Sequence, residues 1–447
     1  MKKYLFVMLT VVLSISTFAQ TKITLDESIK IALQRNSSLI KAKNGLDANQ
    51  SQIKNSYGEF LPSLGVNGTW GWQKVSDKGS TQLNEFGVPT GQKESTVDNR
   101  SYSVSAGGSW TLFDGLSSFA GLDRSKNNFE AAKYELAKLK QDIVYQTTDL
   151  YYTVLNAKEL LKVRDDNVKY NQKLLETIQE RKKLGATAIA DVYAQQVQLG
   201  NAELLFIQAG NDYEIAKSNL LNYLALDVFK EYDYISPIDE NSANVDSFLS
   251  DFASIENMVN EALNSRPDYK SQKLILESTY NSVTIAKSGL YPSLNGNYSF
   301  STNAIQVGDL MDRKIWNVGL TLSIPIFSNW STENAIQQAQ VQSKNSEEDL
   351  SALERQIKIE IKQGYQDLTA AKKQFEVSGK NIIAAEENRK INNEKYSLGS
   401  GTILDVLLSD KNYVDAQRSY IDAQFLFYKM KDKLVNALGK LDYKKYE

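Results

Sequence analysis

Four segments of the chain alternate between apolar and polar residues over about ten positions each. Side chains alternate across a β-strand, so each segment predicts a strand with one apolar face and one polar face. The apolar faces are Leu64, Val66, Gly68, Trp70 and Trp72; Tyr102, Val104, Ala106, Gly108, Trp110 and Leu112; Leu294, Gly296, Tyr298 and Phe300; and Trp316, Val318, Leu320, Leu322 and Ile324. The opposite faces carry almost only Ser, Gly, Asn and Thr. The strands form two predicted hairpins, at about 63–113 and about 293–327.

This alternation fits two environments. A soluble antiparallel sheet can have one solvated face, whereas tilted strands of about 9–11 residues, apolar outside and polar inside, are typical of outer-membrane barrels. Four of the five tryptophans lie in these strands, as expected for aromatic girdles, and the uncharged polar faces suit a water-filled interior. We therefore favour membrane strands. The predicted interface aromatics are Trp70, Trp72, Tyr102, Trp110, Tyr298, Phe300 and Trp316.

The N-terminal segment Met1–Ala19 predicts a secretory signal peptide. Lys2 and Lys3 precede an apolar run that ends at Phe18, and Ala19 supplies a small residue at the cleavage site. The run is too short for a spanning helix, and no other apolar run is long enough. Because no cysteine follows, a lipid-anchored N-terminus is excluded. We expect an exported protein that enters a membrane through its strands.

The composition excludes several kinds of chemistry. The chain has no Cys and no His, which excludes disulfides, thiol nucleophiles, histidine triads and Cys/His zinc sites. The formal net charge is −3, and it becomes −5 without Lys2 and Lys3, so a basic stripe for nucleic acid is missing. No acidic cluster stands apart from solvated helix faces, and no calcium-loop pattern occurs. We expect no enzymatic activity, no cofactor, no metal site and no nucleic-acid partner.

The two halves of the sequence repeat. Leu61–Leu64 returns as Tyr291–Leu294 at an offset of 230, and Leu184-Gly185 returns as Leu398-Gly399 at an offset of 214. The first half is therefore longer by 16 residues, which fall in the stretch Gln73–Arg100. Its glycines and proline predict a hairpin loop, where insertions are tolerated.

Each half predicts the same order of elements: two helices, a hairpin, a very long helix, a turn and a return helix. The first repeat covers 20–225, with a long helix at about 118–184 and a return helix at about 187–224. The second covers 255–440, with a long helix at about 331–398 and a return helix at about 402–438. A linker or equatorial segment at 226–254 joins the repeats, and 441–447 form a tail. Thr24 and Glu27 predict a capping box, and none of the six prolines falls inside a long helix.

Heptad stripes predict that the long helices pack as coiled coils. At 1.5 Å per residue each helix is on the order of 100 Å long, and its apolar residues recur at spacings of three, four and seven. The stripes are Leu136, Leu139, Ile143, Leu150, Val154, Leu161, Val168 and Leu175, and Leu350, Leu353, Ile357, Ile361, Leu368, Phe375 and Ile382. Gly185 and Gly399 are predicted to end these helices in left-handed caps.

Four strands cannot close a barrel, because closed barrels need about eight and an open edge is not tolerated in hydrocarbon. The hairpins must therefore pair with those of other chains. A barrel of about eight strands is too narrow for an aqueous channel, so the small polar faces favour three or more protomers.

This plan resembles the TolC-like outer-membrane efflux protein family (outer membrane factors) over essentially the whole mature chain. The strongest motif is Tyr396–Leu407, with a fainter twin at Leu184–Val192, and Arg266–Asp268 is also typical. The resemblance implies a membrane α+β fold, in which an all-α coiled-coil periplasmic barrel joins a transmembrane β-barrel built from four strands per protomer of a homotrimer. It also implies two partners, a periplasmic adaptor (membrane fusion) protein and an inner-membrane transporter, and a position in the outer membrane of a Gram-negative bacterium.

The resemblance also assigns roles to the two turns. It implies that the adaptor docks on Leu184, Gly185, Ala186, Leu398, Gly399 and Ser400. It implies a periplasmic aperture or gate at Asp191, Tyr396 and Asp405, where the aspartates repeated by symmetry would form an acidic ring. A helix N-terminus also favours carboxylates for ordinary reasons, so both interpretations stay open. The chain departs from the family pattern at Leu408, where another acid is common, and at Gly401, where a basic latch residue is common.

We consider three functions for a chain with these sequence features. The exit duct of a tripartite efflux or type I secretion system explains repeat, strands, helices and signal peptide together. The alternative is a trimeric, barrel-anchored coiled-coil stalk or adhesin, which would concentrate its strands at one end of the chain. An enzyme is the third and least favoured.

Overall fold

The computed structural model describes residues 21–79, 81–91, 95–237 and 254–446. The predicted signal peptide and residues 238–253 of the predicted linker lie outside the described residues. The described chain divides into two compact units. Unit 1 comprises described residues within 21–41, 137–266 and 356–446, and unit 2 comprises those within 42–136 and 267–355.

The helices come in pairs of equal length. The helices α1 (Leu25–Arg35) and α5 (Ile255–Ser265) have 11 residues each, and α2 (Ser37–Gly58) and α6 (Pro267–Ser288) have 22 each. The long helices α3 (Ser117–Lys183) and α7 (Ser331–Ser397) have 67 residues each, and they begin and end within one residue of the predicted bounds. The return helices α4 (Ile189–Tyr223) and α8 (Ile403–Ala437) have 35 each. Among the described residues, no helix combines the length and hydropathy needed to cross a membrane.

Most residues of the predicted heptad stripes belong to unit 1 and contribute to its core, whereas Leu136, Leu350 and Leu353 belong to unit 2. Every residue of the two stripes is buried or half-buried, and the most deeply buried are Ile143, Val154, Ile357, Ile361 and Leu368. Apolar seams between helices therefore supply most of the packing in this unit, as the spacing of three and four requires.

Unit 1 contains a short two-stranded parallel sheet. The strand β1 (Thr21–Ile23) pairs with β6 (Tyr232–Tyr234). The hydroxyl of the fully buried Tyr151 on α3 lies 2.8 Å from the main-chain oxygen of Ile23 and 2.7 Å from that of Ile235. This one side chain thus fastens both segments to α3.

Two helix ends in unit 1 are held by side-chain hydrogen bonds. The Thr24 N–H donates to the Glu27 carboxylate at 2.9 Å, and the Glu27 N–H donates to the Thr24 hydroxyl at 3.2 Å, which confirms the capping box. Arg266 is buried where α5 ends, and its Nη1 donates to the Ala437 oxygen at 2.9 Å and to the Glu360 carboxylate at 2.7 Å. The Arg-Pro-Asp motif therefore ties the end of α5 to the end of α8.

The four predicted strands form one antiparallel sheet in unit 2. The strand β2 (Gly65–Asp77) pairs with β5 (Ser95–Phe113), β5 pairs with β7 (Ser293–Ala304), and β7 pairs with β8 (Ile315–Ser323). The two hairpins thus join through β5 and β7, and β2 and β8 are the edges of this sheet. The strand β8 ends before the predicted Ile324, because the following proline cannot continue the ladder.

The register of the sheet separates an apolar face from a polar face. Residues opposite one another on neighbouring strands share a face. One row across all four strands is Val66, Ala106, Phe300 and Trp316, and the adjacent row is Gly65, Gly107, Ser299 and Asn317. The apolar positions of the four strands therefore line up on one face of the sheet, and the polar positions line up on the other.

The stretch Gln73–Arg100 was predicted as a loop, and that prediction is wrong at both ends. The strand β2 continues to Asp77 and β5 begins at Ser95, with the short strands β3 (Thr81–Leu83) and β4 (Pro89–Gly91) paired between them. In the extended ladder Lys74 lies opposite Asp98, and two valines face each other one position on. Such cross-strand pairs stabilise strands even where the strict alternation has ended.

Left-handed backbone conformations recur at a constant spacing. Gly185 and Gly399, after the long helices, have φ of 75° and 77°. The other three pairs with positive φ are Gly115 and Asn329, Leu116 and Trp330, and Ala225 and Gly439. In all four pairs the residue numbers differ by 214, the offset at which the sequence repeats.

Candidate functional site

Both long helices end in the same kind of turn. The Gly185 N–H donates to the Lys182 oxygen at 3.0 Å, and the Ala186 N–H donates to the Arg181 oxygen at 2.9 Å. This is the Schellman arrangement, in which a left-handed residue follows the last helical turn, and the turn at Gly399 repeats it. A Cβ at either glycine would meet no other atom within 4 Å, so the glycines are required by backbone conformation rather than by space.

The six residues predicted to dock the adaptor are all exposed at these turns. The two leucines, Leu184 and Leu398, are 84% and 82% exposed, which is unusual for an apolar side chain of this size. The other four are Gly185, Ala186, Gly399 and Ser400. Each turn therefore presents one leucine at its outermost point, next to a glycine.

The return helices begin differently. Thr402 caps α8: its hydroxyl accepts the Asp405 N–H at 3.2 Å, and its own N–H donates to the Asp405 carboxylate at 3.1 Å. The hydrogen bonds from Thr402 hold the pKa of Asp405 below its usual value. Ala188 precedes α4 and gives it no side-chain cap. The predicted gate aspartates thus have different surroundings.

Asp191 belongs to a chain of polar groups that reaches α7. Its carboxylate accepts a hydrogen bond from the Thr187 hydroxyl at 2.5 Å, and that hydroxyl lies 3.5 Å from the Tyr396 hydroxyl. Thr187 therefore links Asp191 to Tyr396, which lie on different helical hairpins. Asp405 makes its contacts with Thr402 instead.

Arg181 connects the two turns and was missed in the sequence. Its Nη1 donates to the main-chain oxygen of Tyr396 at 3.1 Å, and its Nη2 donates to that of Ser397 at 3.2 Å. Both oxygens lie in the last turn of α7. The Tyr396 oxygen also accepts the Gly399 N–H at 3.1 Å, and a cation at a helix C-terminus is favourable. A basic residue in the last turn of α3 was the available signal, but nothing in the sequence gave it a partner on another helix.

A buried ion pair lies further along the same helices. The Nε of Arg389 on α7 is 2.9 Å from Oδ1 of Asp410 on α8, and the Asp410 side chain is 1% exposed. The other carboxylate oxygen accepts hydrogen bonds from the side-chain amides of Asn167 at 3.0 Å and Asn171 at 3.4 Å, both on α3. From α4, Gln195 donates to the Asn171 side-chain oxygen at 3.0 Å. All four helices thus contribute to one polar cluster.

Aromatic rings enclose the arginine of this cluster. The Arg389 guanidinium lies 3.8 Å from the ring centre of Tyr170 and 4.8 Å from that of Tyr413, a favourable cation–π arrangement. Burial raises the pKa of Asp410, although Arg389 opposes the shift. In the sequence, the only sign of this cluster was that amide and charged residues lie beside apolar seam residues such as Val168. The structure shows which of these polar residues contact one another.

The predicted interface aromatics lie on the sheet of unit 2. Phe300 and Trp316 face each other across β7 and β8 with ring centres 4.8 Å apart, and Trp70 is opposite Tyr102 on β2 and β5. The remaining three are Trp72, Trp110 and Tyr298. Within the described part of the chain, no group of three or more acidic side chains could hold a metal ion.

Comparison with known proteins decides the family. The family model described as outer membrane efflux protein matches residues 28–226 and 258–440. The chain belongs to this family. Its two matched ranges include the strands of the sheet, both long helices and both turns.

Relatives of the family match most of the chain. Outer membrane protein TolC of Salmonella enteritidis is 23% identical over 456 residues, covering 99% of this chain and 87% of that protein. TolC of Vibrio cholerae is 22% identical over 334 residues, covering 73% and 74%. The stalk or adhesin alternative finds no support among these relatives.

Solved structures share the fold. The outer membrane protein VceC of Vibrio cholerae has a TM-score of 0.77 at 17% identity, covering 93% of this chain and 96% of that one. The CmeC outer membrane channel of Campylobacter jejuni has a TM-score of 0.78 at 16% identity, covering 94% and 88%. The chain therefore shares the overall fold of these two structures.

Proposed function

We propose that the protein is the outer-membrane exit duct of a tripartite efflux or type I secretion system. In this role it passively conducts substrates that an inner-membrane transporter and a periplasmic adaptor deliver. The observation that carries the proposal is the pair of continuous faces on the four-stranded sheet, within a chain of the outer membrane efflux family. The apolar face suits contact with lipid, and the face of small polar residues suits a water-filled lumen.

The working form is a homotrimer in which three sheets close one twelve-stranded transmembrane barrel. Two observations support this. The sheet has two edges, β2 and β8, which can pair between chains. The helix α4 carries a second, outward-facing apolar seam at heptad spacing, formed by Tyr193, Val197, Leu204 and Ile207, each at least 62% exposed in the single chain. A coiled-coil seam of this kind fits a helix of a second copy.

The protomer is built by internal duplication. The equal helix lengths and the four pairs of left-handed residues at an offset of 214 support a common origin for the two halves. Duplication explains why the chain has two turns of the same geometry. It also allows the two turns to diverge, as the different caps at Thr402 and Ala188 indicate.

The turns are the proposed periplasmic end. Leu184, Leu398 and the four small residues beside them form the surface on which an adaptor docks, because they are exposed and held in fixed turns. Asp191 and Tyr396, joined through Thr187, form the gate contact, and Asp405 adds a second acidic position. Three copies would place these aspartates in a ring that favours cations.

Bilayer recordings test the proposal. The full-length protein, extracted in detergent and added to a planar bilayer, should give ion conductance, and the unheated protein should migrate on a gel as a trimer that heating dissociates. A monomer without conductance would overturn the proposal, and a trimer without conductance would favour a stalk. Deleting the gene and scoring sensitivity to metals, detergents and antibiotics would then define the substrate class.

A further inference from the structure

The Arg389–Asp410 cluster is unusual because four helices meet in it. Asn167 and Asn171 come from α3, Gln195 from α4, Arg389 from α7 and Asp410 from α8. One oxygen of the Asp410 carboxylate faces Arg389, and the other accepts the hydrogen bonds from the asparagines. A buried ion pair of this kind contributes little net stability, because the desolvation of both charges offsets their attraction. Net stability therefore does not explain why this ion pair is present.

Apolar heptad seams leave the register of helices weakly specified. A helix that shifts by one heptad against its neighbour finds similar apolar partners, since the stripes of α3 and α7 repeat every three or four residues. A buried charge and an amide have one favourable position only. A shift would leave the buried Asp410 carboxylate without its partner, which is far more costly than an imperfect apolar contact.

The cluster lies one heptad from the gate contact. Tyr396 follows Arg389 by one heptad in the same unbroken helix, so the two side chains lie on the same side of α7, about 10 Å apart along its axis. On α3, Arg181 follows Asn167 by two heptads and therefore lies on the same side of that helix. Between the Arg389–Asp410 cluster and the gate contact, the Tyr170 hydroxyl on α3 donates a hydrogen bond to the Asn393 side-chain oxygen on α7 at 2.8 Å. A displacement at the cluster is thus passed to the pair formed by Arg181 and Tyr396.

We infer that Arg389 and Asp410 are positioning residues that fix the register of the hairpin α7–α8 against the hairpin α3–α4 and thereby keep the Tyr396–Thr187–Asp191 contact closed. The inference rests on the proposed function as a channel. Arg389 and Asp410 do not form the gate, but they determine where Tyr396 lies relative to Thr187. Disruption of the pair should therefore open the channel even though every gate residue is intact.

Two variants and one matched control test the inference in the full-length protein. Asp410→Asn keeps the size of the side chain and removes its charge. Asn167→Leu removes an amide donor to the same carboxylate and leaves the ion pair in place. The control is Lys411→Met with Asp415→Asn, which removes an exposed ion pair of 2.8 Å that begins one residue from Asp410. Single-channel conductance in a planar bilayer is the main readout, and the dissociation temperature of the trimer is the second.

The expected result is a several-fold rise in resting conductance for Asp410→Asn, a smaller rise for Asn167→Leu and none for the control. The double variant Arg389→Met/Asp410→Leu should stay leaky at a dissociation temperature no lower than that of Asp410→Asn, because it leaves no buried charge unpaired but does not restore register. Wild-type conductance in the double variant, or in both Asp410→Asn and Asn167→Leu, overturns the inference. If Asp410→Asn does not assemble, Asn167→Leu and the double variant decide. Absence of conductance in the wild-type protein would instead refute the proposed function.

Discussion

The Arg181 guanidinium lies against the ring of Tyr396, 5.4 Å from its centre, and also donates a hydrogen bond to the Tyr396 main-chain oxygen at 3.1 Å. One side chain of α3 thus holds both the backbone and the ring of a residue in the last turn of α7. The hydroxyl of the same tyrosine lies 3.5 Å from the Thr187 hydroxyl.

Replacing Arg181 should loosen the gate. Arg181→Met removes the hydrogen bonds and the cation–π contact, so Tyr396 should become mobile and resting conductance in a bilayer should rise. Arg181→Lys should have an intermediate effect, because an ammonium cannot reproduce the planar fork of a guanidinium. Lys183→Met is the control: this lysine lies in the same turn, and its ammonium pairs with the exposed Glu180. Equal conductance in Arg181→Met and wild type would refute a role in gating.

The glycine at the second turn offers a test of docking. Gly399 has φ of 77°, a conformation that costs an ordinary residue about 1–2 kcal/mol. Gly399→Val should distort the turn and reduce export, while the trimer still forms. Gly399→Asn is the matched control, because asparagine tolerates left-handed conformation. Normal export by Gly399→Val, measured as resistance to a transported compound, would argue against docking at this turn.

Neighbouring residues of β8 test the assignment of the two faces of the sheet. Val318 lies opposite Tyr298 on the apolar face and is 85% exposed, and Asn317 lies opposite Ser299 on the polar face. An arginine facing lipid near the membrane centre costs about 2–4 kcal/mol. Val318→Arg should therefore reduce the amount of assembled trimer in the outer membrane, whereas Asn317→Arg should assemble normally and shift ion selectivity towards anions. The reverse result would show that the faces are exchanged.

Asp432 on α8 predicts a pH dependence of stability. Burial raises its pKa to about 6, and the charge of Lys431 opposes this shift. The folded chain therefore binds this proton more tightly than the unfolded chain, so stability is lost as the pH rises through about 6 and regained on acidification. Between pH 5 and pH 8 the loss is about 1 kcal/mol per chain.

The asparagine variant isolates this carboxyl group. Asp432→Asn should reduce the difference in unfolding temperature between pH 5 and pH 8, measured by circular dichroism at 222 nm. Asp415→Asn, which changes an exposed carboxylate of the same helix, should leave that difference unchanged. An unaltered difference in Asp432→Asn would show that other groups carry the pH dependence.

Residue spacing and local side chains were enough to predict most of the helices and strands. Heptad spacing indicated the long helices to within a residue, alternation indicated four strands, and Thr24 with Glu27 indicated a cap that the structure confirms. These signals are reliable because they depend on side-chain period and on hydrogen bonds between residues a few positions apart. The extension of β2 and β5 into the expected loop was missed, because it depends on partners across the ladder such as Lys74 and Asp98.

Contacts between residues far apart in sequence became known from the packing of the helices and the pairing of the strands. It joined the two hairpins through β5 and β7, placed Arg181 against Tyr396, and brought Arg389 and Asp410 together with asparagines of α3. It also joined Thr187, the neighbour of Asp191, to Tyr396, whereas Asp405 is held by Thr402 at the start of its own helix. The reason is physical: period and capping are fixed by neighbouring residues, whereas a buried charge gains its partner from the packing of helices far apart in sequence.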